Sequence, residues 1–303
     1  MPHPLSGVYA AAVTPLRPSG APDLRGLANL LTFLEQRGCH GALLLGTTGE
    51  GPSFSSDERI AIWSAASEWR KQFPEFRLMA GTGTPSLNDS VDLTQAAFNL
   101  GFEAAVVLPP YFYRNAGEDG LFAWYSQLME RAVPEGRHLL GYHIPAVSGV
   151  ALSLNLLQRL SAAYPTRFGG LKDSSGDLES ARAYAAGLPG KAVLVGNDKL
   201  LGPGLKTGAA GCITALANLR SPELRSIFDA HTRGEDTSTI QSSLDSLRAA
   251  MDAQPSAPAY LKALLHAQHG FPLWPVRPPL QDFTAEQTQA ALAALDALQI
   301  VSK

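Results

Sequence analysis

The stretch Phe168-Gly169-Gly170-Leu171-Lys172-Asp173-Ser174-Ser175-Gly176-Asp177 starts as a short apolar strand and ends on a lysine. Similar runs, bounded by Gly, Pro or Thr, recur on both sides of it. They are Gly7 to Val13, Gly41 to Leu45, Phe76 to Ala80, Ala104 to Leu108, His138 to Tyr142, Ala192 to Val195 and Ala210 to Thr214, which with Phe168 to Leu171 makes eight. Between them, Leu24 to Gln36, Asp57 to Lys71, Ser90 to Leu100, Leu121 to Ala132 and Leu154 to Ala163 return an apolar residue every three or four positions, the helical period. Strands that alternate with helices pair in parallel, and eight such units close into a (β/α)8 TIM barrel of the α/β class. An open doubly wound sheet would carry a Gly-rich phosphate loop after its first strand, whereas here that strand leads into Val13-Thr14-Pro15.

After about residue 220 the strand signal stops. Helical patterns cover Pro222 to His231, Thr239 to Asp252, Ala257 to Gln268 and Thr284 to Leu298, interrupted by an extended connector from Gly270 to Pro279. The expected organisation is a barrel catalytic domain over residues 1–220 and a C-terminal helical region over residues 221–303, packed on the barrel.

With 303 residues, 45% of them hydrophobic, the chain can bury one large core. Its net charge of −3 is dispersed, which argues against nucleic acid or an anionic membrane as a partner. Cys39 and Cys212 each lie in or beside an apolar stretch, as buried thiols in a reducing compartment would; a disulfide is the lesser alternative. The N-terminus lacks a basic segment followed by an apolar run, and no stretch reaches 18 apolar residues, so a soluble cytoplasmic protein is expected. No His or Cys cluster has metal-ligand spacing, and no metal site is expected.

Barrels of this type do their chemistry where strands end, so the strand-end residues form one list. Burial disfavours an ammonium, and a neutral amine is a nucleophile toward carbonyls, which makes Lys172 a candidate for Schiff-base chemistry. A snorkelling lysine, or one paired with Asp173 or Asp177, would serve as well. Strand five ends on Tyr142, which places a phenol on the neighbouring strand, where it can shuttle protons. The Gly46-Thr47-Thr48-Gly49-Glu50-Gly51 turn offers hydroxyls and backbone N–H groups that suit a carboxylate, though it would also make an ordinary turn. Strand four leads into Pro109-Pro110-Tyr111-Phe112-Tyr113, strand seven into Gly196-Asn197-Asp198-Lys199, and strand eight ends at Ile213-Thr214.

Jointly, Gly46-Thr47-Thr48-Gly49-Glu50, Tyr142-His143-Ile144-Pro145, Gly170-Leu171-Lys172-Asp173 and Gly196-Asn197-Asp198 resemble the dihydrodipicolinate synthase and N-acetylneuraminate lyase family of class I aldolases, in order from about Gly7 to Leu219. The resemblance implies a homotetramer built as a dimer of dimers, no metal or organic cofactor, and a Schiff base with pyruvate or another 2-keto acid. By position it implies that Lys172 is the Schiff-base lysine and Tyr142 the proton-transfer tyrosine. Thr47 and Thr48 would hold the keto acid's carboxylate, Ile213 would line the pocket, and Gly196, Asp198 and Lys199 would stand near the rest of the substrate.

Departures from the family pattern narrow the substrate. The synthases carry an arginine for the carboxylate of aspartate semialdehyde where this chain has Val147, and losing such a contact removes roughly 1.5–3 kcal/mol. Ile144 to Val150 is similar to the sialic-acid lyase branch, but that branch has an acid at Lys199 and a serine near Ala215. A cation there fits an acceptor with a distal anion, or is simply solvated. The family's strand-four tyrosine, supplied across a subunit contact, falls at Phe112, flanked by Tyr111 and Tyr113. The expected activity is a carbon–carbon lyase that joins or cleaves a small 2-keto acid and an aldehyde, with a 2-keto-3-deoxy sugar acid or similar 2-oxo acid as substrate. Dihydrodipicolinate synthesis and a non-catalytic keto-acid-binding protein are the alternatives.

Overall fold

A computed structural model describes residues 3–298. Eight parallel strands close in sequence order: β1 (Gly7–Ala11), β2 (Gly41–Leu44), β3 (Arg77–Gly81), β4 (Ala104–Val107), β5 (His138–His143), β6 (Phe168–Asp173), β7 (Ala192–Val195) and β8 (Gly211–Thr214). β8 pairs back onto β1, so the barrel has no free edge. Around it run α1 (Leu24–Gln36), α2 (Ser56–Arg70), α3 (Leu87–Asn99), α4 (Glu118–Ala132), the short α5 (Pro145–Ser148), α6 (Leu154–Ala163), α7 (Leu178–Gly187), α8 (Leu201–Lys206) and α9 (Ala217–Thr232). Three further helices follow, α10 (Ser238–Asp252), α11 (Ala257–His269) and α12 (Ala285–Ala297).

Helix starts follow the local chemistry. Ser55 and Glu58 form a reciprocal capping box on α2, while the Ser86, Ser153 and Ser256 side chains accept N–H groups at the starts of α3, α6 and α11. The strands are buried on both faces, which is why they read as continuous apolar runs. The expected boundary at residue 220 falls inside α9, where Arg220 (φ −126°, ψ 32°) breaks helical geometry ahead of Pro222. Residues 299–303 of the expected C-terminal region lie outside the described residues. Among the described residues no helix is long and apolar enough to cross a membrane.

One irregularity decides where Lys172 points. Leu139 pairs with Phe168 but Leu140 pairs with Gly170, so β6 carries one extra residue, Gly169. Phe168 and Leu171, three apart, therefore both face the helix layer, where they share a cluster with Leu139 and Val193. Gly170 and Lys172 then face the barrel axis, opposite Leu140 and Tyr142. Without the bulge, strict alternation from Phe168 would turn Lys172 outward. Gly170 is required as glycine: its φ is +139°, and a Cβ there would stand 2.0 Å from the Ala192 carbonyl oxygen.

Candidate active site

At the C-terminal rim of the barrel, Tyr142 on β5 and Lys172 on β6 are register partners. The Lys172 side chain is 3% exposed, and its Nζ lies 4.2 Å from the centroid of the Tyr142 ring. Ion pairs among the described lysines are made by Lys71, Lys199 and Lys262, and not by Lys172. The two acids that could have neutralised it are turned elsewhere. Asp173 projects to the opposite face of β6 and accepts the Ser175 N–H at 3.0 Å, and Asp177 caps α7 by accepting the Glu179 N–H at 3.0 Å.

Tyr142 hydroxyl and Thr47 Oγ1 are 3.0 Å apart, with either atom able to donate. Burial pushes the Tyr142 phenol up, but the Lys172 charge and hydrogen bonding to Thr47, Lys172 and Ser174 outweigh it and hold the phenol below its ordinary range. Behind this layer, burial pushes the Asp173 carboxyl up and pulls the His143 imidazole down. His143 Nδ1 accepts the Leu152 N–H at 3.0 Å and so helps fix the end of β5.

The turn bearing Thr47 and Thr48 is an unusual piece of backbone. Leu45 and Glu50 both sit at φ 57° without being glycine, and a Cβ on Gly51 would stand 2.0 Å from the Leu45 carbonyl oxygen. What holds it is Glu50, buried, whose Oε1 is 2.5 Å from Lys262 Nζ on α11 and whose Oε2 accepts the Arg277 N–H at 2.8 Å. Lys262 also donates to the Pro275 carbonyl at 2.6 Å, so the C-terminal helices and connector brace the loop.

Thr47, Thr48, Tyr142 and Lys172 border one cavity of about 260 Å³. Of the residues expected at the site, Thr47, Thr48, Tyr142, Lys172, Gly196 and Ile213 line it together. Others do not. Asp198 is 0% exposed, outside the lining, and its Oδ2 accepts from Arg248 Nη1 at 3.0 Å. Burial pushes its carboxyl up against the pull of Arg248, as befits an internal partner and not a group offered to substrate. Lys199 also stands outside the lining, its Nζ 3.8 Å from Asp252 Oδ2. Besides Lys172, the basic residue that lines the cavity is Arg248, which sequence reading missed together with Met251 and Asp252. Their one available signal was the i,i+4 spacing of Arg248 and Asp252, a common surface pattern.

Tyr111, Phe112 and Tyr113 do not reach the cavity. Phe112 and Tyr113 are 75% and 70% exposed and meet edge-on with ring centroids 5.4 Å apart. Burial pushes the Tyr111 phenol up, with the Arg59 guanidinium opposing. Cys39 and Cys212 are buried free thiols, the former pushed up to about 12 by burial. Among the described residues no three His, Cys, Asp or Glu side chains converge to hold a metal ion.

The sequence pattern of the dihydrodipicolinate synthetase family matches residues 4–298. An uncharacterised DapA-like lyase of Chloroflexus aurantiacus is 36% identical over 291 residues, 96% of each chain. The 4-hydroxy-tetrahydrodipicolinate synthase 1 of Streptomyces coelicolor is 33% identical over 96% of this chain and 93% of its own. The solved dihydrodipicolinate synthase of Agrobacterium tumefaciens is 30% identical and superposes with a TM-score of 0.86 over 96% of this chain and 99% of its own. This chain therefore belongs to the dihydrodipicolinate synthetase family and is a carbon–carbon lyase of the class I aldolase kind.

Proposed function

We propose that the enzyme cleaves and forms 2-keto-3-deoxy sugar acids or similar 2-oxo acids through a Schiff base on Lys172. The observation that carries this reading is a buried amine without a carboxylate partner, beside a phenol, at the base of a cavity. Lys172 Nζ adds to the keto carbon while Thr47 and Thr48 hold the adjoining carboxylate. The phenol of Tyr142 gives its proton to the carbinolamine oxygen, which leaves as water to form the iminium. The resulting phenolate takes the proton of the C4 hydroxyl as the C3–C4 bond breaks. That electron pair passes into the iminium to form an enamine, and an aldehyde departs. Tyr142 then protonates the enamine at C3, and water adds to release pyruvate and the free amine.

The names of relatives favour a second reading, condensation of pyruvate with aspartate semialdehyde. Against it, Val147 is 60% exposed and outside the cavity lining, with no charge to offer that substrate's carboxylate. We further propose a cytoplasmic homotetramer, a dimer of dimers with the Phe112 loop at a subunit contact, working without a metal or organic cofactor. Exposed aromatics of this size are strong interface anchors. The test is a panel of 2-keto acids read as pyruvate release, set beside pyruvate uptake with aspartate semialdehyde. Cleavage of a 2-keto-3-deoxy sugar acid should exceed the condensation in kcat/KM by at least about tenfold, or about 1.4 kcal/mol. A preference for aspartate semialdehyde puts the second reading in its place.

A further inference from the structure

The wall of the cavity formed by α10 carries polar groups that the reaction above does not use. Arg248 Nε donates to Asp252 Oδ1 at 2.7 Å and Nη1 donates to the buried Asp198 Oδ2 at 3.0 Å. A guanidinium has five N–H groups. Nη2 has no hydrogen-bond partner among the described residues, although Arg248 lines the cavity. Asp252, Asn197 and Gln254 line the same cavity. Arg248 in the lining pairs with the lining carboxylate Asp252 and with Asp198 buried behind it, and Lys199, also outside the lining, has its Nζ 3.8 Å from Asp252 Oδ2. The cluster is therefore formally neutral while presenting both donors and acceptors.

A binding site for a distal anion would look different. It would leave a cation uncompensated, and it would not place an exposed carboxylate such as Asp252 beside the incoming charge. Alcohol groups, which donate and accept at once, match the alternation of guanidinium, carboxylate and amide. We infer that Arg248 and Asp252 form a hydroxyl-recognising subsite, which makes acceptor aldehydes with hydroxyls next to the reacting carbon preferred over both their deoxy and their anionic counterparts. This rests on the Schiff-base reading of the same cavity and names the chemistry of its second substrate. It also replaces Lys199 with Arg248 as the cation nearest the acceptor, and replaces attraction of a charge with recognition of a diol. A site built to hydrogen-bond a hydroxyl rejects the analogue lacking it, because its own polar groups are then left unpaired.

The experiment is aldol addition of pyruvate to glyceraldehyde, propanal and succinic semialdehyde, with kcat and KM measured for each. Wild-type enzyme should favour glyceraldehyde over propanal in kcat/KM by about tenfold or more, with succinic semialdehyde no better than propanal. Arg248→Lys keeps a cation for Asp198 but loses the planar fork, and Asp252→Asn keeps the shape but loses the charge. Each should shrink the glyceraldehyde preference to about threefold or less, chiefly through KM. Should Arg248→Lys melt well below wild type, Asp252→Asn, at an exposed position, decides alone. A wild-type preference for succinic semialdehyde, or an undiminished glyceraldehyde preference in the deciding variant, overturns the inference. Reductive trapping of pyruvate on wild-type Lys172 separates the two levels: an adduct without acceptor discrimination overturns this subsite only, whereas no adduct overturns the Schiff-base reading and the subsite with it.

Discussion

Two lysines in this molecule are almost equally buried, and they have opposite surroundings. Lys262 is 1% exposed and sits against Glu50 at 2.5 Å and the Pro275 carbonyl at 2.6 Å. Lys172 is 3% exposed and faces the Tyr142 ring and a cavity, with no carboxylate paired to it. Burial pulls the Lys262 amine below its ordinary range, and Glu50 pulls it part of the way back. A buried charge is tolerated when it is paired and its hydrogen bonds are met, and that describes a brace. A buried amine left without a counter-ion is a candidate for chemistry. The two regions are linked, because Glu50 ends the same turn that presents Thr47 and Thr48 to the cavity of Lys172.

That contrast can be broken by exchanging what each lysine loses. Lys172→Met should lower turnover by roughly 10⁴-fold or more, on the scale of removing a nucleophile, while leaving the thermal midpoint unchanged or raised. A stability loss there with residual turnover would make Lys172 structural. Lys262→Met should do the reverse. It strands Glu50 in the interior and should cost about 3–5 kcal/mol in denaturant unfolding, because the remaining charge is buried without a partner. The double variant Glu50→Gln, Lys262→Met should recover part of that loss; an undiminished loss would show that the lysine acts through packing alone.

The phenol gives a finer test of the Lys172 side. Tyr142→Phe should reduce kcat about 10²-fold while pyruvate still binds, the usual scale for a lost acid–base group. Unchanged kcat removes Tyr142 from proton transfer. In the folded wild-type protein the phenol lies below its ordinary 10.0, so the phenolate forms at lower pH than in a free tyrosine; because Schiff-base formation draws on the phenol's proton, kcat/KM for cleavage should fall as pH rises through that lowered value. NMR of tyrosine labelled at Cζ should follow it directly. Lys172→Met removes the attracting charge and leaves burial in command, so the Tyr142 resonance should titrate at higher pH than in wild type. A resonance that does not move would uncouple the two groups.

The barrel was legible because parallel strands covered on both faces read as apolar runs, and the rim residues were legible because chemistry gathers where such strands end. Lys172 itself was found by its place at a strand end, yet the reason it faces inward, the extra Gly169, is a pairing irregularity that alternation alone would have misread. Asp198 and Lys199 stand outside the cavity lining for a related reason. They follow β7 in sequence, but the chain turns there into a short 3₁₀ segment from Asp198 to Leu200 that buries the carboxylate under α10. Arg248 and Asp252 were not legible at all as cavity-lining residues, since only the packing of α10 brings them to the cavity that Lys172 lines. The ion pair of Glu50 with Lys262 joins residues 212 positions apart, and no local pattern announces it.

Reduction by borohydride in the presence of pyruvate tests the central contrast most directly, because it traps an iminium and leaves an ion-paired amine untouched. Peptide mapping by mass spectrometry should find the reduced pyruvyl adduct on Lys172 and none on Lys262. Adduct on Lys262 or another lysine, with Lys172→Met still labelled, would contradict the account.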